Sequence, residues 1–131
     1  MMKRIIVVDD TKHLARGLAE VLELEGFETR FAFDGMEALY VMQTFVPHLI
    51  VTDLRMPKMD GFELIDTIRH DLVLKKIPII AITASIGRDC KDRVIKTGAN
   101  LFVEKPFNDE QLLEAIKTLL NEQEYQNRVG R

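Results

Sequence analysis

Five residues, scattered along the chain, have the types that phosphoryl chemistry uses. Asp9 and Asp10 close the apolar run RIIVV, Asp53 closes HLIVT, Thr83 ends IPIIAIT, and Lys105 follows NLFVE. Each stands at the end of a run rich in β-branched residues, the composition of a buried strand. Parallel strands lying side by side would bring all five side chains to one crevice at their carboxyl ends. Three carboxylates so close repel, and one pKa rises, unless a cation shares the site. Oxygen ligands alone, with no Cys or His at ligand spacing, point to a hard cation, and so few carboxylates favour Mg²⁺ over a calcium cage. A metal, a lysine and a hydroxyl donor are what a transferring phosphoryl group requires, and Asp53 is the natural nucleophile. Asp10 or Thr11 would equally suit the cap of the helix that follows. Asp53 has no such duty: the loop LRMPKM separates it from Asp60, where the next helix starts, and acids are seldom buried unpaired.

The elements that must position these residues alternate. Strand-like runs at 4–8, 27–32, 48–52, 77–83 and 100–104 are separated by helix-length patterns. Between Thr11 and Glu25, the residues Leu14, Leu18, Val21 and Leu22 follow the spacing of one helical face, and Gly26 sits where a left-handed stop belongs. Asp34 with Glu37, Asp60 with Glu63, and Asn108 with Gln111 each set a capping acceptor three residues ahead of a Glu or Gln, predicting three more helix starts. The last helix presents Leu112, Leu113, Ile116, Leu119 and Leu120. The fourth, over 86–97, has only Ile86, Cys90, Val94 and Ile95 to bury and should be the least firmly held. Strand alternating with helix in this way predicts an α/β domain: one doubly wound, five-stranded parallel sheet with five helices. The first, third and fourth runs are continuously apolar, as strands covered on both faces are. The second carries Glu28 and Arg30 and belongs at an edge, compatible with the flavodoxin-like order 2-1-3-4-5. One domain over 1–121 and a polar tail over 122–131 account for the whole sequence.

With 131 residues, 18 Lys and Arg against 21 Asp and Glu, and a net charge of −3, there is room for one core and no basic stripe, so direct nucleic-acid contact is not expected. The single Cys90 excludes an internal disulfide. MMKRIIVVDD is too short in apolar residues for a signal peptide or membrane span, which makes a cytoplasmic location, without membrane insertion, the default expectation.

VVDD, LIVTDLRMPKMDG, AITA and VEKPF, in this order and spacing, resemble the receiver domain of two-component response regulators, the CheY-like family, over roughly residues 3 to 121. The resemblance implies that Asp53 accepts a phosphoryl group from a phosphohistidine on a sensor histidine kinase or histidine phosphotransfer protein. It implies that Asp10 ligates Mg²⁺ directly, Asp9 does so through water, and the backbone carbonyl of Arg55 completes the protein ligands. Thr83 would hydrogen-bond a phosphoryl oxygen, Ala84 would leave room for it, and Lys105 would pair with it, ahead of a cis bond to Pro106. The aromatic switch position of the family falls on Phe102, which lacks a tyrosine's hydroxyl and can only trade burial. The implied protein is a phosphoacceptor switch of a phosphorelay, assisting its own phosphorylation and slow hydrolysis rather than working as an enzyme. Its changed surface would lie around the fourth helix, fifth strand and fifth helix. Cognate kinase, pathway, downstream effector, oligomeric state and phosphoryl lifetime are not written in these motifs, nor is whether the domain stands alone.

An autonomous aspartyl-nucleophile phosphatase is the alternative, but such enzymes commonly carry a second Asp two residues after the nucleophile, where this chain has Arg55. Flavin or nucleotide binding would need a phosphate loop after the first strand, and DDTKH is acidic with no Gly-x-Gly. His13, His48 and His70 share no ligand spacing and read as surface residues; Cys90 reads as a small filler. Met56 and Met59, flanking Pro57 and Lys58, suit packing as well as shielding of an acyl phosphate. Arg55, with Ser85 two residues after Thr83, supplies no general base and should slow hydrolysis of the phosphorylated state.

Overall fold

Runs of Val and Ile fit a pleated surface buried on both sides, and here they build the middle of a sheet. The computed structural model describes residues 2–84 and 88–129. Along the chain, β1 (Arg4–Val8), α1 (Lys12–Leu24), β2 (Glu28–Ala32), α2 (Gly35–Met42), β3 (Leu49–Asp53), α3 (Gly61–Arg69), β4 (Ile79–Thr83), α4 (Arg88–Thr97), β5 (Leu101–Glu104) and α5 (Asp109–Val129) alternate strictly. The five strands form one sheet in the order β2-β1-β3-β4-β5, every pair parallel. This is the doubly wound, flavodoxin-like arrangement that the alternation predicts, with the polar second strand at an edge.

Period-two alternation splits the core in two. Ile6, Val8, Ile50, Ile79 and Ala81 face Ala38, Met42, Leu64, Ile65, Ile68 and Val94 from α2, α3 and α4. Ile5, Val7, Leu49, Val51, Ile80 and Ile82 face Leu22, Leu112, Ile116, Leu119 and Leu120 from α1 and α5. Register carries the strand ends to one level: Val8 pairs with Thr52, Asp53 with Ile82, and Thr83 with Glu104.

The helix boundaries follow their caps. The Asp34 carboxylate accepts from the Glu37 N–H at 2.8 Å, Asp60 and Glu63 close a reciprocal capping box, and Asn108 and Gln111 exchange bonds of 2.8 and 3.0 Å. Gly26 ends the first helical segment at φ +98°.

Three details depart from the sequence reading. The buried stripe of α1 is Ala15, Ala19 and Leu22, with Leu18 packed at the edge of the core, while Leu14 is 48% exposed: small residues let the helix sit close to the sheet, and Leu14 turns toward a groove instead. Among the described residues of α4 only Val94 is fully buried and Ile95 lies 46% exposed, while Ile86 falls outside the described residues. Finally, α5 continues through the polar stretch 122–129 as helix, with Glu124 3.4 Å from Lys3 at the foot of β1.

Candidate functional site

The site is assembled at the carboxyl edge of the sheet. Asp53, last residue of β3, is 9% exposed and Asp9, just past β1, is 7% exposed, whereas Asp10 is open to solvent. One carboxylate oxygen from each of the three lies within 4.8 Å of the others. Lys105, following β5, reaches back with its Nζ 3.0 Å from Oδ2 of Asp53 and 3.7 Å from Oδ2 of Asp9. The Lys105 N–H donates to the Thr83 carbonyl at 2.8 Å, which ties the β5 end to the β4 end. The peptide bond from Lys105 to Pro106 is cis, as the family resemblance anticipates.

Oδ1 of Asp53 accepts the Leu54 N–H at 2.7 Å, and Oδ2 holds the lysine, so the carboxylate is oriented from both sides. Oδ1 of Asp9 accepts the Thr11 N–H at 2.9 Å. Thr11 is the N-cap residue of α1 but its own side chain makes no capping bond; Asp9, two residues earlier, does the tethering. Asp10 caps nothing and is left to face the crevice mouth.

The electrostatics match the geometry. Burial pushes the Asp9 carboxyl above its ordinary range, with the charges of Asp53 and Asp10 adding to the effect against the Thr11 hydrogen bond and Lys105. Lys105 is partly desolvated, yet its hydrogen bond to Asp53 and the three surrounding carboxylates hold its ammonium above the usual lysine value. One ammonium facing three carboxylates leaves a surplus of negative charge. A small, oxygen-seeking divalent cation fits that donor set, and Asp9, Asp10 and Asp53 are the residues to hold it.

The loop after β3 is fixed by close backbone approaches. The Gly61 N–H donates to the Leu54 carbonyl at 2.9 Å, and a side chain at Gly61 would collide with the Asp53 carbonyl and the Leu54 Cα. Gly35 at the start of α2 donates to the Met59 carbonyl at 3.1 Å, and a Cβ there would lie 2.7 Å from the Met59 side chain. Met59 therefore packs against α2, and Met56, 9% exposed, joins the core. Between them Lys58 adopts a left-handed φ of +64° and lies 3.9 Å from Asp34, the α2 cap.

Two openings meet at Lys105. A cavity of about 670 Å³ on the α3–α4 side is bounded by Asp53, Thr83 and Lys105 together with Arg55, Phe62 and Arg93. A groove of about 640 Å³ between α1 and the start of α5 is lined by Leu14, Leu18, Val21, Pro106 and Phe107, with Asp9 and Lys105 at its inner end. Ala84 borders both. Thr83 is buried at the end of β4, and the Arg55 side chain is exposed at the mouth of the first cavity. The five residues singled out by type and strand position thus converge, whereas Ser85 lies outside the described residues.

Phe102 stands away from the crevice, half-buried in β5 and packed on the core face that α4 covers. Lys91 of α4 sits 5.5 Å over its ring and pairs with Glu104 at 2.7 Å. That contact escaped sequence reasoning, because helix and strand patterns do not reveal which charged residues meet. Arg69 was missed for the same reason. Its guanidinium donates to the carbonyls of Gly98, Lys75 and Ile77 and to the Asn100 side chain, all at 2.7 to 2.9 Å, joining the ends of α3 and α4 to the starts of β4 and β5. Burial lowers its pKa, with no carboxylate among these partners to offset it. His48, read as a surface residue, is half-buried and accepts the Arg4 N–H at Nδ1 over 2.9 Å. None of the three histidines enters the acidic cluster.

Among the described residues no helix is long and apolar enough to cross a membrane. Residues 5–117 match the family model of the response regulator receiver domain. The chain is 34% identical over 116 residues to the hybrid signal transduction histidine kinase D of Dictyostelium discoideum, covering 88% of this chain and 7% of that protein. It is 29% identical to the polar-differentiation response regulator DivK of Brucella ovis, covering 93% of this chain and 99% of the relative. The crystal structure of a CheY-like receiver domain protein from Methanospirillum hungatei superposes with a TM-score of 0.88 at 29% identity, over 96% of this chain and 99% of the other. The chain spans half or less of the length of several curated relatives it matches, 50% of one and 26% of another.

Proposed function

The chain belongs to the response regulator receiver domain family of two-component signalling, and from that premise we propose that it is a phosphoacceptor switch whose nucleophile is Asp53. The observation that carries the proposal is the convergence at one strand edge of an oriented carboxylate, a lysine 3.0 Å from it, and two further carboxylates within 4.8 Å. An Oδ atom of Asp53 attacks phosphorus in line with the bond that breaks, and the phosphoryl group passes from a phosphohistidine on a kinase or phosphotransfer protein. Lys105 moves from pairing with the carboxylate to pairing with the phosphoryl oxygens, and Thr83, at the end of β4, donates its hydroxyl to one of them. Asp10, Asp53 and the Arg55 carbonyl would hold Mg²⁺ directly and Asp9 through water, and the ion would supply neutralisation of charge on the phosphoryl oxygens.

Among the described residues lining the cavity beside Asp53, the one other carboxylate, Asp60, accepts the Glu63 N–H as a helix cap, and Arg55 stands at the mouth, so the acyl phosphate hydrolyses slowly. Phosphorylation then adds charge beneath Ala84 and biases the packing of α4, β5 and Phe102. The switch works in the cytoplasm, where kinase and receiver meet.

Intact-mass measurement after incubation with a small phosphodonor and Mg²⁺ tests this. One added phosphoryl group is expected, lost in Asp53→Asn and suppressed by excess chelator; full labelling of that variant would refute the assignment. Arg55→Ala should shorten the half-life of phospho-Asp53 severalfold with little effect on its formation.

A further inference from the structure

The two openings beside the site differ in chemistry, and only the one between α3 and α4 is lined by Asp53 itself. The groove between α1 and α5 is walled by apolar residues, whereas the cavity between α3 and α4 adds two guanidinium groups, Arg55 and Arg93, to Lys105. Arg93 is held in a particular way. Its guanidinium carbon lies 3.8 Å from the centroid of the Phe62 ring, so one face is spent on the aromatic while the N–H edge remains to donate in its own plane. Among the described residues that edge has no hydrogen-bond or ion-pair partner. Asp60 borders the same cavity, but its Oδ1 is engaged by the Glu63 N–H. Lys105, by contrast, is committed to Asp53 and Asp9. An oriented cation in the nucleophile's cavity, not committed to the nucleophile, is placed to receive a second anion.

Resting on the phosphoacceptor reading above, we propose that Arg93 is a specificity-determining residue that favours low-molecular-weight acyl phosphates as phosphoryl donors by receiving the departing carboxylate. A lone pair on an Asp53 oxygen forms the new P–O bond. The P–O bond to the acyl group breaks, and its electron pair leaves on the carboxylate, with no proton required. With a donor phosphorylated on imidazole the P–N bond breaks instead. Its electron pair returns to a ring already protonated on the other nitrogen, which departs neutral. A guanidinium rewards the leaving group that gains negative charge and is nearly indifferent to the neutral one. Stacking on Phe62 holds the donor edge ready, so little reorganisation is needed when the charge develops.

The test compares initial rates of phospho-Asp53 formation on the full chain, followed by intact mass, with acetyl phosphate and with N-phosphoimidazole at equal Mg²⁺. In Arg93→Gln the ratio of the acetyl phosphate rate to the phosphoimidazole rate should fall about tenfold, in line with the loss of one charge-assisted contact in the transition state. Arg93→Lys should restore part of it, since charge returns without the planar fork, and Phe62→Leu should lower the ratio by a smaller factor. A partly misfolded variant lowers both rates alike and leaves the ratio untouched; if Arg93→Gln does not fold, Arg93→Lys carries the comparison. A ratio unchanged in these variants, or two rates that fall together, overturns the role of Arg93 while leaving Asp53 as acceptor. Failure of both donors to label the unmodified chain overturns the acceptor reading and this inference with it.

Discussion

The helices α4 and α5 flank the same strand and are held by different physics. Four residues of α5, Leu112, Ile116, Leu119 and Leu120, enter the core, whereas α4 contributes Val94 as its single fully buried side chain among the described residues. What α4 lacks in apolar burial is supplied by charged and aromatic contacts: Arg93 on Phe62, Lys91 on Glu104 and Phe102, and Arg69 donating to the Gly98 carbonyl where the helix ends. Burial is non-directional and is not screened by salt, while such contacts are directional, partly exposed and individually weak. A helix fixed by the first kind stays put. A helix fixed by the second can shift when charge is added nearby, so α4 is the element of the two suited to report the proposed phosphorylation of Asp53.

The largest effect that would sharpen the contrast comes from α5. Ile116→Ala should cost about 2–5 kcal/mol of unfolding free energy, as removal of a fully buried aliphatic side chain does, read from denaturant melts. A loss under 1 kcal/mol would mean that α5 is not the firm partner.

Next comes Arg69→Met, which removes the guanidinium donor from the Gly98, Lys75 and Ile77 carbonyls, while Asn100 Oδ1 keeps only the Ile79 N–H. An expected cost of about 1–3 kcal/mol should be accompanied by faster amide exchange at the carboxyl end of α4 and the start of β5. Unchanged exchange there would break the idea that Arg69 anchors the helix end.

Asp9→Asn tests the cost of a carboxylate that is buried at the site and also repelled by Asp53 and Asp10. The folded protein holds the Asp9 proton more tightly than the unfolded chain, so ionisation costs stability as pH rises above the ordinary aspartate value of 3.8. At neutral pH without Mg²⁺ the variant should melt above the parent, since Asn still accepts the Thr11 N–H. The gap should narrow toward pH 4, and added Mg²⁺ should raise the parent more than the variant. Melting curves that coincide at neutral pH would remove the repulsion from the account.

Lys91→Ala should have a small effect, below about 1 kcal/mol, because the pair with Glu104 is roughly half exposed. The loss should shrink in high salt, where the corresponding Ile116→Ala loss does not. The smallest expected effect is at the opposite end of the sheet. Burial, together with the Arg4 and Lys3 charges, lowers the His48 pKa from 6.5, so stability is lost as pH falls below the unfolded value. His48→Asn keeps an acceptor for the Arg4 N–H and should lose less melting temperature than the parent between pH 7.5 and 5.5.

Residues whose role depends on local pattern were legible in the sequence. Alternating strand and helix periods specified the parallel sheet; Asp34, Asp60 and Asn108 announced their helices; and Asp9, Asp10, Asp53, Thr83 and Lys105 could be placed together, because in a parallel sheet every strand's carboxyl end meets the same edge. That edge is a consequence of topology, so four separate motifs sufficed to bring these five residues to one place. The rotation of α1 was not legible: Leu14 and Ala15 both fit a helical face, and only packing against the sheet decided that the alanines go in. Nor were the clasps of α4. Arg69, Lys91 and Arg93 look like any surface cations in a polar stretch, and their partners Gly98, Asn100, Glu104 and Phe62 come from other elements. The sequence by itself determined what depends on period and on strand order. The tertiary structure alone decided which long, flexible side chains meet across elements, because those meetings depend on helix rotation and distance, to which a one-dimensional pattern is blind.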